Sequence, residues 1–246
     1  MKKAGSDEKL KSDSCFFFIL FIISLIYFIE YRDLYLKSLW LRLDPLEEKN
    51  VGRDFNQKVL AIGSSSIKRW PFDDITIIHN MVFNAGIEGQ TSTQVLLRFE
   101  RLLVKHKPQY CIIMVGLNDI KSIGLLKHNN EIEIDYITNI KRIIELCLDN
   151  QIVPIYITNF PTAKEGILRK LVWNSSLDEF ILRSNNEIKL FCSNHDVYVF
   201  DAYAVLVEEN SLKRKSAYTK DFLHLNKDGY RLLNTKLELE LQKIIK

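Results

Sequence analysis

"VLAIGSSSIKRW", residues 59–70, sets a short apolar run against a glycine and three consecutive serines. Apolar residues in sequence up to Gly63 describe a strand buried on both faces. A serine at a sharp strand-to-helix turn can present both its hydroxyl and its own N–H to a substrate carbonyl. Taken alone, the run equally describes a helix-capping turn, or a cradle of N–H groups for phosphate at a helix start. The P-loop form lacks its Gly-Lys-Ser/Thr sequel. Only the rest of the chain separates these readings.

Outward from the run, the same pattern recurs. "KVLAIG" (58–63), "MVFNAG" (81–86), "YCIIMVG" (110–116), "IVPIYIT" (152–158) and "VYVFDA" (197–202) all read as buried strands. Between them lie helical periodicities: "TSTQVLLRFERLLVKH" (91–106) behind a Ser/Thr cap, then 134–149, 166–192 and the final "NKDGYRLLNTKLELELQKII". Alternating apolar strands and amphipathic helices predict a five-stranded parallel sheet with helices on both faces, a three-layer α/β/α sandwich over residues 58–246. Ligands of such sheets bind at the carboxyl ends of the strands. That rule selects Gly63–Ser66, Asn84–Gly89, Gly116–Asp119 and the loop beyond Ala202.

Composition sets the outer bounds. The 246 residues are 47% hydrophobic and 26% charged, ordinary for a globular protein. With 34 basic and 31 acidic residues the net charge is +3, and no basic stripe with interleaved aromatics suggests a nucleic-acid partner. Cys15, Cys111, Cys147 and Cys192 lack paired close spacing and read as small hydrophobes, neither a disulfide framework nor a metal site.

The N-terminus departs from this average. Residues 15–29, "CFFFILFIISLIYFI", carry no charge, behind a tail (1–14) containing Lys2, Lys3, Lys9 and Lys11. As a helix these residues reach only ~22 Å, short of the ~30 Å hydrocarbon core, so a span needs extension to Tyr31 and interfacial Lys and Tyr side chains. "YFIEYRDLY" offers no small-x-small cleavage site, and an all-apolar helix behind a charged tail fits a core helix poorly. The expectation is an uncleaved single-pass signal anchor over 15–31, with the domain outside the cytoplasm by the lysine excess. Residues 32–57 would form a juxtamembrane amphipathic helix, ended by Pro45, and a polar linker.

A serine hydroxyl needs a base to take its proton. Of the five histidines, His79, His106, His128 and His195 read as surface or capping residues. His224 follows Asp221 by three residues in "KDFLHLN", between the last strand and the last helix. One loop can then supply both a base and the carboxylate that holds its tautomer. A loop Asp capping a turn beside an unrelated His is the plainer alternative, and no third residue with metal-ligand spacing accompanies the pair. Acyl transfer also needs oxyanion donors. "NAGIEGQTS" (84–92) offers the N–H of Gly89 at a helix entry, and "GLND" (116–119) offers the amide of Asn118.

Together, "AIGSSSIKRW", "NAGIEGQTS", "VGLNDI" and "DFLHLN" resemble the four blocks of the SGNH (GDSL-type) hydrolases, over residues 58–245. The resemblance implies a flavodoxin-like fold without a cofactor and a serine esterase activity on an ester substrate. It makes Ser65 the nucleophile, with Asp221 and His224 completing the triad. The N–H groups of Ser65 and Gly89 and the amide of Asn118 would form the oxyanion hole. Ser64 stands where the family usually carries an acid, and Ser66 competes as nucleophile only if the alignment slips by one. Short acyl groups, above all O-acetyl esters on envelope or extracellular glycans, are the expected substrates. O-acyl transfer to a polysaccharide and non-catalytic glycan binding are the alternatives.

Overall fold

The computed structural model describes residues 17–28, 58–126, 130–166, 173 and 175–245. The chain divides into two compact units, Met1–Lys49 and Asn50–Lys246. In the first, residues 17–28 form a helix whose Phe17, Phe18, Phe21 and Phe28 are between 62% and 68% exposed. Among the described residues no helix is long and apolar enough to cross a membrane. The tail, the ends of the expected 15–31 span and the 32–57 segment lie outside the described residues.

The second unit is built on five parallel strands: β1 (Val59–Gly63), β2 (Val82–Gly86), β3 (Tyr110–Met114), β4 (Val153–Ile157) and β5 (Tyr198–Phe200). Their order is β2-β1-β3-β4-β5, as the five apolar runs predict for a doubly wound sheet. The chain leaves β1 for β2 on one side and returns to β3 on the other. The carboxyl end of β1 is thus the topological switch point, where such sheets open a crevice. Gly63, the last residue of β1, is therefore where the serine run enters.

Alternation along the strands sorts the core into two layers. Val59, Ala61, Ile112, Met114, Ile155 and Ile157 pack with Leu233, Leu237 and Leu241 of the last helix, α7 (Lys227–Ile244). Leu60, Ile62, Cys111, Ile113 and Tyr156, all fully buried, face the opposite layer. There lie α2 (Ser92–His106), α4 (Asn130–Asp149) and α5 (Ser175–Asn194). Short helices α1 (Ser65–Lys68), α3 (Leu117–Leu126) and α6 (Ala202–Leu206) begin just past the ends of β1, β3 and β5.

Capping follows the sequence closely. Thr91 precedes α2 and its N–H donates to Gln94 Oε1 at 2.9 Å, one half of a capping box. Asn226 precedes α7 and accepts from Gly229 N–H at 2.9 Å.

Two expectations are corrected. The stretch "IKSIGLLKHNNEI" (120–132), outside the helical periodicities found in the sequence, reads as a loop over the site, yet α3 takes in residues up to 126. Its Ile120 is fully buried and its Asp119 lies in the first turn, favourable to the helix dipole, so packing outweighs the mid-helix Gly124. The helix expected over 166–192 begins only at Ser175, because Trp173 is buried outside it and donates its indole N–H to Asp178 Oδ1 at 3.3 Å.

Candidate active site

The sheet brings the predicted residues to one end. Ser65 opens α1 directly after β1, Gly89 lies between β2 and α2, Asn118 is in the first turn of α3, and Asp221 and His224 lie between β5 and α7.

Among the three serines, burial discriminates. Ser64 and Ser66 are each 3% exposed, whereas Ser65 between them is half-buried. Short as it is, α1 is seated from several directions. Asn84 Nδ2 donates to Ile67 O at 2.7 Å and Tyr230 Oη donates to Ser66 O at 3.0 Å. A Cβ on Gly86 would stand 2.3 Å from Lys68 N, so only glycine lets α1 lie this close over the end of β2. Beneath it, Trp70 stacks on Phe72 at 5.3 Å, meets Tyr230 edge-on at 5.6 Å and donates to Asn234 Oδ1 at 2.6 Å.

Ser65 Oγ lies 2.9 Å from His224 Nε2, and His224 Nδ1 lies 2.8 and 2.9 Å from the two oxygens of Asp221. A carboxylate only accepts, so Nδ1 carries the imidazole proton and Nε2 keeps its lone pair for the serine hydroxyl. The Asp221 carboxylate also accepts from the N–H groups of Leu223 (3.0 Å) and His224 (2.9 Å). Burial alone would raise its pKa, but those N–H groups and the His224 ring hold it below the ordinary carboxylate range. The relay is therefore charged at its distal end at neutral pH.

The oxyanion candidates are equally constrained. Gly89 adopts φ +75°, a conformation that side chains with a Cβ rarely take. Asn118 Nδ2 donates to Gln90 O at 2.9 Å, which uses one amide hydrogen and leaves the other for a ligand. The loop carrying Gly89 is fixed from below by the buried Arg98. Its Nε donates to Gln90 Oε1 at 2.8 Å and its Nη2 to Ala85 O at 2.8 Å and Gly63 O at 3.4 Å, tying the ends of β1 and β2 to that loop.

Three supporting residues were not singled out from the sequence. Arg98 reads as one more charged position on an amphipathic helix, although its place among the apolar residues Val95, Phe99 and Leu102 was a signal. Asp119 follows Asn118 in "GLND" and reads from sequence as no more than part of a polar turn. It is instead buried, accepting from Ser92 N–H with both oxygens at 3.0 Å and from Ser92 Oγ at 2.6 Å. Desolvation raises its pKa to about 6, against the opposing bonds from Ser92. Arg214, 2% exposed, carried no signal at all in a basic stretch.

The other histidines have local partners. His79 Nδ1 donates to Asp73 O and His195 Nδ1 to Phe191 O, while His106 stacks on Phe83 at 3.9 Å. His128 lies outside the described residues. No group of His, Cys, Asp and Glu among the described residues could hold a metal ion.

A hydroxyl, a base with a free lone pair, an ionised carboxylate behind it and N–H donors at a strand end are the parts needed for acyl transfer. The comparisons with known proteins point the same way. No curated protein matches the chain in sequence. Solved structures match it in fold. A Bacteroides fragilis protein assigned as an acylhydrolase is 25% identical, covers 84% of this chain and 99% of its own, and superposes with a TM-score of 0.70. A GDSL-like lipase from Bacteroides thetaiotaomicron is 23% identical, with 83% and 98% covered and a TM-score of 0.68. An acetyl xylan esterase is 18% identical, with 76% and 99% covered and a TM-score of 0.60. A sequence model of the GDSL-like lipase/acylhydrolase family matches residues 69–232. That stretch begins just after Ser65 and includes Gly89, Asn118, Asp221 and His224. With more than half its length matched and the family's five-stranded α/β fold, this chain belongs to the GDSL-like lipase/acylhydrolase family.

Proposed function

We propose that the protein is a serine esterase that hydrolyses short acyl esters, with O-acetyl groups on envelope or extracellular glycans as its substrates. The observation that carries this reading is the unbroken hydrogen-bonded series Ser65 Oγ, His224, Asp221. In the proposed reaction Ser65 Oγ attacks the ester carbonyl as His224 Nε2 takes its proton. The carbonyl oxygen becomes an oxyanion between the N–H groups of Ser65 and Gly89 and the free amide hydrogen of Asn118. Asp221 stabilises the imidazolium formed in this step. His224 then protonates the departing alcohol, leaving an acyl-Ser65 ester. A water, deprotonated by His224, releases the carboxylic acid and restores the serine.

The acetylated-sugar substrate is suggested by the fold shared with an acetyl xylan esterase. Membrane attachment with the domain outside the cytoplasm is the second part of the proposal. It rests on the uncharged run 15–29 behind four lysines and on the outward-facing phenylalanines of the 17–28 helix.

The test uses the full chain in detergent with p-nitrophenyl esters of acetate, butyrate and longer acids, then with O-acetylated polysaccharide. Acetate release that Ser65→Ala abolishes supports the reading, and turnover retained in that variant overturns it. Transfer of acetyl to a sugar acceptor in place of water would reassign the protein as an acyltransferase. Flotation with liposomes of the full chain, lost on deleting residues 1–31, tests the attachment.

A further inference from the structure

The Asp221–His224 segment closes on itself. Thr219 pairs with Leu225 in an antiparallel bridge, and the N–H groups of Lys220 and Asp221 both donate to His224 O, at 3.0 and 3.4 Å. Inside this turn lies the guanidinium of Arg214. Nη2 donates to Asp221 O at 2.8 Å, His224 O at 3.1 Å and Phe222 O at 3.5 Å. Nη1 donates to Leu223 O at 3.1 Å and Pro161 O at 3.3 Å, and Nε to Thr219 Oγ1 at 3.3 Å.

Every backbone carbonyl from residue 221 to residue 224 therefore accepts from one side chain. That side chain is among the largest fully buried ones in the protein. Burying a guanidinium is costly, and here carbonyl dipoles of the turn stand in for the lost water. A turn needs no buried cation to close, since Thr219–Leu225 pairing already does so. What the cation adds is the orientation of successive peptide planes, and these set the Cα–Cβ directions of Asp221 and His224. The contact to Pro161 O ties the same turn to the segment after β4, where Arg214 N–H also donates to Thr162 O at 2.7 Å and Ala163 N–H to Phe222 O at 2.9 Å.

We infer that Arg214 is the positioning residue of the esterase site: its planar fork gathers the carbonyls of residues 221–224 and so holds His224 Nε2 against Ser65 Oγ. This inference rests on the serine-esterase reading above. Neighbouring Lys213 pairs with Asp178 at 2.6 Å and Glu165 at 2.8 Å and lies 5.9 Å from the Phe222 ring, so it neighbours the turn through a ring face and not through the backbone carbonyls of residues 221–224.

The test compares the full-length protein with Arg214→Lys, Arg214→Met, Thr219→Val and Lys213→Met, using p-nitrophenyl acetate below each variant's melting temperature. Displacing a catalytic group by about 1 Å costs on the order of 10²-fold, so both Arg214 variants should lose roughly 10- to 100-fold in kcat with KM within about threefold. Lysine should not rescue, because a single ammonium cannot span the fork's acceptors. Thr219→Val, a milder change that frees Nε and gives up the hydroxyl's own bond to Lys215 O, should lose a few-fold in kcat and covers the case in which Arg214 variants do not fold. Lys213→Met should lower the melting temperature while retaining kcat. The far-downfield proton of the His224 Nδ1–H···Asp221 bond, followed by NMR, should be present in wild type and lost or shifted in Arg214→Lys. A folded Arg214→Lys or Arg214→Met with wild-type kcat and an unchanged proton signal overturns the inference, as does an unaltered kcat in Thr219→Val. If wild type itself releases no acid from any ester, the esterase reading fails, and the proton signal alone then decides the positioning role.

Discussion

Ser65 and His224 stand 159 positions apart in the chain, and their side chains meet at 2.9 Å. The meeting depends on a strand end and a helix-preceding loop that share no sequence neighbourhood. It also assigns unequal reactivity to three adjacent hydroxyls, since Ser64 and Ser66 are each only 3% exposed. A fluorophosphonate probe should therefore label wild type, Ser64→Ala and Ser66→Ala, and fail to label Ser65→Ala. Peptide mapping of the adduct to Ser66 would transfer the nucleophile role to it.

Asp221→Asn tests the tautomer argument. The asparagine Oδ1 can still accept from Leu223 and His224 N–H, so the turn should keep its shape. Its amide now donates toward His224 Nδ1, which drives the imidazole proton to Nε2 and removes the lone pair that Ser65 needs. Esterase kcat should fall roughly 10²- to 10⁴-fold with a melting temperature close to wild type. Activity within tenfold of wild type would show that the carboxylate does not set the tautomer.

Sequence reading recovered the strands and the groups at their ends for a physical reason. Buried parallel strands must be apolar on both faces, and the chain can expose polar chemistry only where they stop, so the three serines 64–66, Gly89 and Asn118 stood out against apolar runs, and the family resemblance chose Ser65 among the serines. The spacing of Asp221 and His224 within one loop offered a pair, which the family resemblance and not the spacing assigned to a triad. Asp119 and Arg214 were not legible, because their partners appear only in the fold: Ser92 for Asp119, and for Arg214 the turn that presents the carbonyls of residues 221–224 together with Pro161. Arg98, set among Val95, Phe99 and Leu102, left a signal of burial but none of its partner Gly63. A buried charge and an exposed one look alike in sequence until the fold supplies its carbonyls. The start of α5 was misplaced because Trp173 lies outside the helix and bonds Asp178 in its first turn, a local contact that apolar periodicity does not reveal.

The oxyanion donors should separate by cost. Asn118→Ala removes the amide proposed for the oxyanion and also its bond to Gln90 O. Loss of one such donor costs about 10²–10³-fold in kcat. Gly89→Ala keeps its N–H but must place a Cβ residue at φ +75°, at a strain of roughly 1–2 kcal/mol. It should lower stability by that order and kcat less than Asn118→Ala does. Steady-state kinetics beside thermal melts check both, and an Asn118→Ala enzyme with unchanged kcat would remove the amide from the oxyanion hole.

Asp119 makes a prediction about pH with a definite sign. Its carboxyl is buried beside Ser92, and desolvation raises its pKa from 3.8 to about 6 in the folded protein. Between those values the folded state binds a proton that the unfolded chain does not, so stability falls as pH rises through this window. The difference amounts to about 3 kcal/mol at most, taking 1.36 kcal/mol for each tenfold change in proton affinity. Asp119→Asn carries no titrating group and should lack the slope. Urea denaturation of both proteins from pH 4 to pH 7.5 should show wild type losing stability relative to the variant up to about pH 6, and a constant difference above it. A difference that grows in favour of wild type with rising pH would mean that the ionised carboxylate, bound by Ser92, is the form the fold prefers.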